Sequence, residues 1–307
     1  MRINDGTSSK AAASASSTGA GTGTRSGPRL ALVLGSGGVR SIAALGIADR
    51  LTREGLAPDL IVGCSSGALF GATIAMGMRS DEALRTATSL WSAELTQQRR
   101  WLAYAQLLLP RFAGFKADFS LRDDRLIAER ITRAFGVRRI EELPIPLRIA
   151  ATDAASGQPV LLTRGSLTTA VRASLALPFI FPSVEVDGRR LVDGVISDPL
   201  PLGAARDAVL VIALGFIGPL PRRIDRPSRM VAQTSTALIN NLMQARTAAA
   251  VHAGQRVMQI DLALDRRIGL WETEAMPYLF DAGRRAAEMR MPELMRWLRS
   301  VPARDAA

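Results

Sequence analysis

The stretch that decides the fold reads Leu60-Ile-Val-Gly63-Cys-Ser65-Ser-Gly67, and a run of small residues from Ala68 to Met78 follows it. An apolar strand that runs into G-x-S-x-G and then into a helix is typical of a nucleophile elbow. Its glycines, here Gly63 and Gly67, permit a sharp turn that projects the serine hydroxyl. We therefore predict a strand over 60–63, a helix over 68–78 and a nucleophilic Ser65 between them. A tightly packed structural turn is the alternative.

The same stretch has a second interpretation, because residues 60–78 form a run of 19 residues without a charge. A run of this length can cross a bilayer, and glycines spaced by four suit packed membrane helices. Asp59 and Arg79 bound the run tightly, however, and glycine and serine in its middle weaken a continuous helix. The strand, elbow and helix are thus favoured over a transmembrane span.

A second strand, loop and helix unit precedes the elbow. Arg29-Leu-Ala-Leu-Val-Leu34 predicts a buried strand, Gly35-Ser-Gly-Gly38 breaks it, and an apolar-periodic helix extends to about Leu51. Two such units in succession predict an α/β fold with a largely parallel sheet. The glycines let backbone N–H groups converge on the negative charge of an acyl-transfer intermediate. A phosphate loop is the alternative, but neither a Gly-Lys-Ser/Thr ending nor a full G-x-G-x-x-G is present.

Arg40 lies in the first turn of this predicted helix, where the helix dipole disfavours a cation. Binding a substrate phosphate or bracing the glycine loop would each explain the placement. An ordinary solvated arginine is the third possibility.

The rest of the chain continues the same alternation. Strands are predicted over 147–163 around a turn at 156–157, in a hairpin over 184–192 that turns at Asp187-Gly188, and over 208–214. Residues 80–140 are helix-like and arginine-rich and could form a lid or a membrane-facing surface, and the part from Trp101 to Leu109 could act as an interfacial anchor. Residues 228–300 show mainly helical patterns.

The first 28 residues consist mostly of Ser, Ala, Gly and Thr, and they predict a disordered low-complexity tail. The tail lacks the apolar run of a secretory signal, so a cytoplasmic protein, possibly peripheral to the membrane, is expected. A transit peptide is the alternative, because the tail carries a few basic residues.

Charge and rare residues restrict the chemistry. The net charge of +11 comes almost entirely from arginine, which predicts attraction to anionic surfaces such as phospholipid headgroups or nucleic acid. A solvated basic surface is the alternative. Cys64 is the only cysteine, so an intramolecular disulfide is impossible and a cysteine-based metal cluster is disfavoured.

A serine nucleophile also needs a base. The only histidine, His252, lies in a helical pattern without a loop signal, although the order Ser65, Asp193, His252 is that of α/β-hydrolases. Asp193 is the stronger candidate, because it ends a predicted strand and Gly194 frees the backbone that aims its side chain. Asp153 and Asp198 are weaker alternatives, each better explained as a turn or cap residue.

Three blocks of this sequence resemble the patatin-like phospholipase family across most of positions 29–215. Leu32-Val-Leu-Gly-Ser-Gly-Gly-Val-Arg40 is similar to its glycine-rich oxyanion motif, Gly63-Cys-Ser-Ser-Gly67 to its elbow, and Asp193-Gly194 to its Asp-Gly motif. The segments Val171 to Pro178 and Phe181-Pro182 also resemble the region before the aspartate of the family. The sequence departs from the pattern at Ser36, Ser41 and Val195.

The resemblance implies a three-layer sandwich whose central, largely parallel sheet is flanked by helices. It implies a Ser–Asp dyad of Ser65 and Asp193, an oxyanion hole of backbone N–H groups from Gly37, Gly38 and Val39, and a basic position at Arg40. It also implies acyl-ester hydrolysis of lipids at a membrane, with no cofactor, no metal and no specific nucleic acid.

On this basis we expect the catalytic core to span 29–215. A mainly helical part, 216–307, is expected to pack on the same domain. Two alternatives for function stay open: a non-catalytic membrane-binding relative, and a histidine-dependent α/β-hydrolase acting on soluble esters.

Overall fold

A computed structural model of the chain describes residues 29–96, 103, 106, 119–221 and 223–300. The predicted tail over 1–28 lies outside the described residues, and so does most of the predicted anchor from Trp101 to Leu109. The domain boundaries predicted above therefore stay predictions.

The strands among the described residues form one eight-stranded sheet at the centre of the fold. Its strands are β1 (Leu30–Leu34), β2 (Leu60–Cys64), β3 (Leu147–Asp153), β4 (Pro159–Leu162), β5 (Val184–Val186), β6 (Arg189–Asp193), β7 (Leu210–Leu214) and β8 (Val257–Ile260). The order is β5-β6-β3-β2-β1-β7-β8, and β4 also pairs with β3. The five strands from β3 to β8 in this order are parallel to one another, whereas β4 and β6 pair with β3, and β5 with β6, in antiparallel fashion. The prediction of a largely parallel sheet is confirmed.

Helices cover both faces of this sheet. In the described part of the chain they are α1 (Ala43–Arg53), α2 (Ser66–Ala75), α3 (Ser80–Leu90), α4 (Arg125–Phe135), α5 (Leu167–Leu175), α6 (Pro227–His252) and α7 (Met276–Arg299). Alternate residues of β1 point to opposite faces, as the pleat requires. Leu32 joins the larger core with α1, α2 and α7, and Val33 joins a smaller core with Met243 of α6. The result is the predicted three-layer sandwich.

The C-terminal part packs directly on this sandwich through two glycines. At Gly46 of α1 a Cβ atom would lie 1.9 Å from the carbonyl oxygen of Phe280, and at Gly283 of α7 it would lie 2.0 Å from that of Ala43. Both obstacles are backbone atoms, so a side chain at either position would force the helices apart. Close packing of α1 on α7 therefore depends on these glycines.

Several local predictions are confirmed. The hairpin of β5 and β6 turns at Asp187 and Gly188, whose φ angles of 48° and 74° suit a type I′ turn. The helix after the elbow begins at Ser66 and ends at Ala75, slightly earlier than predicted.

The transmembrane interpretation of residues 60–78 is wrong, because these residues form a strand and a separate helix. Among the described residues, none of the helices is both long and apolar enough to cross a bilayer.

One strand was not predicted. β8 lies within the region that the sequence analysis assigned to helix, and it pairs with β7 in parallel. It has only four residues, of which Met258 and Ile260 are buried, so its alternating pattern is too short to distinguish from a helix end. The sheet therefore extends beyond residue 215 into the C-terminal part.

We expect Gly283→Ala to destabilise the protein, because the added methyl group collides with the backbone of α1. Overpacking of this kind costs about 1–3 kcal/mol, which lowers the Tm of a chain of this size by roughly 2–10 °C. Thermal unfolding followed by circular dichroism measures the change. Gly203→Ala is the control, because a Cβ at Gly203 meets nothing within 4 Å. Equal Tm values for the two variants would contradict the role of Gly283 in helix packing.

Candidate active site

Ser65 stands alone between the last residue of β2 and the first residue of α2. Its φ of 56° and ψ of −126° are rare for a residue with a side chain. The neighbouring glycines make this conformation possible. A Cβ at Gly63 would lie 2.5 Å from the Cα of Ala68, and a Cβ at Gly67 would lie 2.3 Å from the carbonyl oxygen of Leu34. The turn is thus the sharp strand-to-helix elbow that the motif predicts.

The Ser65 hydroxyl donates a hydrogen bond of 2.7 Å to Oδ2 of Asp193. Asp193 ends β6, is 2% exposed, and accepts a second hydrogen bond from the backbone N–H of Val195 at Oδ1. Burial raises the pKa of Asp193 to about 7, although the hydrogen bonds from Val195 and Ser65 favour the charged form. The carboxyl group is therefore a stronger base than an exposed aspartate.

Ser174 of α5 holds the elbow in place, and the sequence analysis did not single it out. Its fully buried hydroxyl accepts a 2.8 Å hydrogen bond from the backbone N–H of Ser65 and donates one of 2.7 Å to the carbonyl oxygen of Ala150. It therefore ties the elbow to β3. The sequence does contain a signal that could have identified Ser174, because it is a serine on the apolar face of a short helix.

A chain of serine hydroxyls anchors the glycine loop. The N–H of Gly37 donates to Ser66 Oγ at 3.2 Å, the hydroxyls of Ser66 and Ser41 lie 2.9 Å apart, and Ser41 donates to the carbonyl oxygen of Gly35 at 3.2 Å. Ser41, one of the departures from the family pattern, thus links the loop to the start of α2.

The three predicted oxyanion donors are not equivalent in this structure. The N–H of Val39 donates 2.9 Å to the carbonyl oxygen of Leu270, and that of Gly37 is bonded to Ser66. The N–H of Gly38 has no partner among the described residues. Gly38 also has a φ of +60°, and a Cβ there would lie 2.7 Å from the Leu270 oxygen. This geometry favours Gly38 as a donor and argues against Val39, whose N–H is already used.

Arg40 lies in a 3-10 turn over Gly38–Ile42 that runs directly into α1 at Ala43, so it stands in the first helical turn, as predicted, although this turn is 3-10 and not α-helical. Its Nε donates 3.2 Å to the carbonyl oxygen of Gly37, and its guanidinium lies 5.0 Å from the centre of the Phe216 ring. Burial lowers the pKa of Arg40. These contacts support bracing of the loop and disfavour a merely solvated side chain.

Ser65 and Asp193 line a mainly apolar cavity of about 180 Å³. The polar members of its wall include Arg40, Ser36 and Asn240. Its apolar wall contains aliphatic and aromatic side chains from both halves of the chain: Trp91, Ile127, Leu175, Leu177, Phe181, Val195, Phe216, Ile239, Leu270 and Trp271. Trp91 and Trp271 stack with ring centres 4.6 Å apart. Such a lining suits a hydrocarbon chain next to an ester group.

The other candidate bases lie elsewhere. His252 is the exposed last residue of α6 and lines a different cavity with Met243. Asp153 caps a turn by accepting from the backbone N–H groups of Ala155 and Ser156. Asp198 is mostly buried, with its pKa raised by burial to about 6, and lies 3.9 Å from Nε of Arg246. In this structure only Asp193, of these four, is hydrogen-bonded to Ser65.

Comparison with known proteins gives consistent matches. The sequence model of patatin-like phospholipases matches residues 32–206. An uncharacterised NTE family protein of Mycobacterium tuberculosis is 37% identical over 221 residues, which cover 68% of this chain and 58% of that protein. Patatin-like phospholipase domain-containing protein 7 of Rattus norvegicus is 32% identical over 194 residues, or 62% of this chain and 14% of that protein. The chain thus spans little more than half of the mycobacterial relative.

A comparison of solved structures finds VipD from Legionella pneumophila, with a TM-score of 0.46 and 14% identity over 90% of this chain and 67% of that chain. The sequence match decides the assignment. Because the family model matches more than half of the sequence and includes both Ser65 and Asp193, the chain belongs to the patatin-like phospholipase family.

Proposed function

We propose that this protein hydrolyses acyl esters of lipids and releases a fatty acid, with Ser65 as nucleophile and Asp193 as base. The observation that carries the proposal is the 2.7 Å hydrogen bond between the two side chains, at an elbow that opens into an apolar cavity. Membership of the family supports the same chemistry.

The proposed reaction has two halves. The Asp193 carboxylate accepts the Ser65 proton as Oγ attacks the ester carbonyl, and the proton then passes to the leaving alcohol as the ester C–O bond breaks. A water molecule next gives its proton to Asp193 and attacks the acyl-enzyme. The carboxylic acid leaves, and Ser65 recovers the proton.

The oxyanion that forms in each half needs hydrogen-bond donors. Gly38 is the donor that we propose first, because its N–H is unpartnered within the described part of the chain. Gly37 could join it only by releasing Ser66, and Val39 only by releasing Leu270. Loss of one donor of this kind costs about 10²- to 10³-fold in rate.

The two alternatives find less support. A histidine-dependent hydrolase needs a histidine near Ser65, whereas His252 is exposed and lines another cavity. A non-catalytic relative has no need of a nucleophile bonded to a buried carboxylate, which is costly to keep. The geometry therefore favours an active enzyme.

Ser65→Ala and Asp193→Asn should each reduce ester hydrolysis by about 10³-fold or more, because each removes one member of the dyad. Release of fatty acid from phospholipid and lysophospholipid vesicles, and hydrolysis of a soluble short-chain ester, provide the measurements. His252→Gln is the matched control and should keep full activity. Activity retained in either dyad variant, with folding intact, would refute the mechanism.

The pH profile should follow the ionisation of Asp193. Below its pKa of about 7 the carboxyl group is protonated and cannot accept the Ser65 proton. We therefore expect kcat/KM for a soluble ester to rise about tenfold per pH unit up to pH 7 and then to level off. A profile that is flat between pH 5 and 8 would show that a different group is the base.

The same pKa predicts a cost in stability. Between pH 4 and 7 the native Asp193 keeps a proton that the unfolded chain loses, so the free energy of unfolding from this group falls as the pH rises. Asp193→Asn should remove this loss and raise the Tm relative to wild type more at pH 8 than at pH 5. An equal difference at both pH values would contradict the raised pKa.

Ser174→Ala should lower kcat about 10- to 100-fold, because the backbone of Ser65 loses the hydrogen bond that positions it. Ser174 is a positioning residue, so KM for a soluble ester and the pH midpoint should stay nearly unchanged. Ser174→Cys, which keeps a weak donor and acceptor, should recover part of the rate. A kcat equal to that of wild type in the alanine variant would remove Ser174 from the catalytic arrangement.

A further inference from the structure

The stretch from Phe216 to Asn240 contains the loop after β7 and the first half of α6, and part of it lines the active-site cavity. Phe216 and Gly218 line this cavity after β7, and Ile239 and Asn240 of α6 line it next to them. The side chain of Asn240 accepts from the N–H of Gly218 and donates to its carbonyl oxygen, both at 2.8 Å. The loop after β7 is thus fixed to α6 at the edge of the cavity.

The same stretch carries large apolar side chains that nothing in the described part of the chain covers. They are 46–66% exposed, a level at which single residues are ordinary but a group is not. We call this set the apolar rim, and its members are Ile217, Leu220, Ile224, Met230, Val231 and Leu238. On α6, Val231 and Leu238 are seven residues apart and so share one face.

Arginines interleave with the apolar rim. The sequence from 216 to 231 contains four arginines and one aspartate, and that aspartate, Asp225, pairs with Arg229 at 3.0 Å. Arg223 and Arg226 are exposed and make no ion pair among the described residues. The region therefore has an unbalanced positive charge on a protein whose net charge is +11.

We propose that the apolar rim and Arg223 and Arg226 form the surface that docks this protein on an anionic lipid bilayer. Exposed aliphatic side chains that insert at the headgroup boundary, flanked by arginines that bind lipid phosphates, are the chemistry of interfacial binding. The inner side of the same stretch lines the cavity of Ser65, so docking would bring the cavity near the lipid surface, with α6 between the two. In this last respect the inference rests on the proposed function.

The test uses vesicle co-sedimentation of Ser65→Ala protein, in which lipid hydrolysis does not interfere. Vesicles of phosphatidylcholine with phosphatidylglycerol are compared with phosphatidylcholine alone. We expect Arg223→Gln/Arg226→Gln to lower the partition coefficient on anionic vesicles about tenfold or more. Val231→Gln/Leu238→Gln should lower it about tenfold on the same vesicles.

Matched controls carry the same changes elsewhere. Met289→Gln/Val137→Gln replaces apolar residues that are 65% and 98% exposed outside the rim, and Arg133→Gln/Arg164→Gln replaces two exposed arginines. Both controls should bind vesicles like the parent protein. With Ser65 intact, all four variants should hydrolyse a soluble short-chain ester within about twofold of wild type, because none of the changed residues lines the cavity.

Three results would overturn the inference. Unchanged vesicle binding in both Arg223→Gln/Arg226→Gln and Val231→Gln/Leu238→Gln is one, and an equal loss in the control variants is another. The third is a dimer that Val231→Gln/Leu238→Gln converts to monomers without a change in vesicle binding, since a second copy of the chain would then cover the rim. Vesicle binding without hydrolysis of any ester would instead refute the proposed function and leave the docking surface standing.

Discussion

The hydroxyl of Ser65 reaches Asp193 only because the backbone at Ser65 adopts a conformation that a side chain disfavours. That conformation depends on two close backbone approaches, at Gly63 and Gly67, and on the hydrogen bond that Ser174 accepts from the Ser65 N–H. The strain is balanced by the rigid core around it, where every residue of β1 and β2 is buried. A buried parallel sheet is therefore a condition for the elbow as well as its support.

Burial of Asp193 connects stability to chemistry. The same removal from water that destabilises the charged carboxylate raises its affinity for a proton into the range that a general base needs near neutral pH. Hydrogen bonds from the backbone N–H of Val195 and the hydroxyl of Ser65 partly stabilise the charged carboxylate. A fully solvated aspartate would destabilise the fold less but would be a much weaker base, so the loss of stability and the raised proton affinity of Asp193 have one origin.

Sequence reasoning worked where local pattern and chemistry coincide. A strand, two glycines and a helix of small residues were enough to predict the elbow at Ser65, and the Asp187-Gly188 turn placed Asp193 at the far end of its strand. It failed where a contact joins distant segments. Ser174 lies 109 residues from Ser65, and the bond from Val39 to Leu270 spans most of the chain. No local periodicity encodes such contacts, and the four residues of β8 are too few to show their own.

The residues around the cavity come from two parts of the chain. The family match ends at residue 206 and contains the dyad and the glycine loop, whereas Phe216, Asn240, Leu270 and Trp271 on the cavity wall come from beyond it. Leu270 reaches the loop itself, since its carbonyl oxygen accepts from the N–H of Val39. Because the proposed reacting groups lie on one segment and part of the cavity wall on another, substitutions in the C-terminal part can reshape the cavity while the hydrogen bond between Ser65 and Asp193 stays intact.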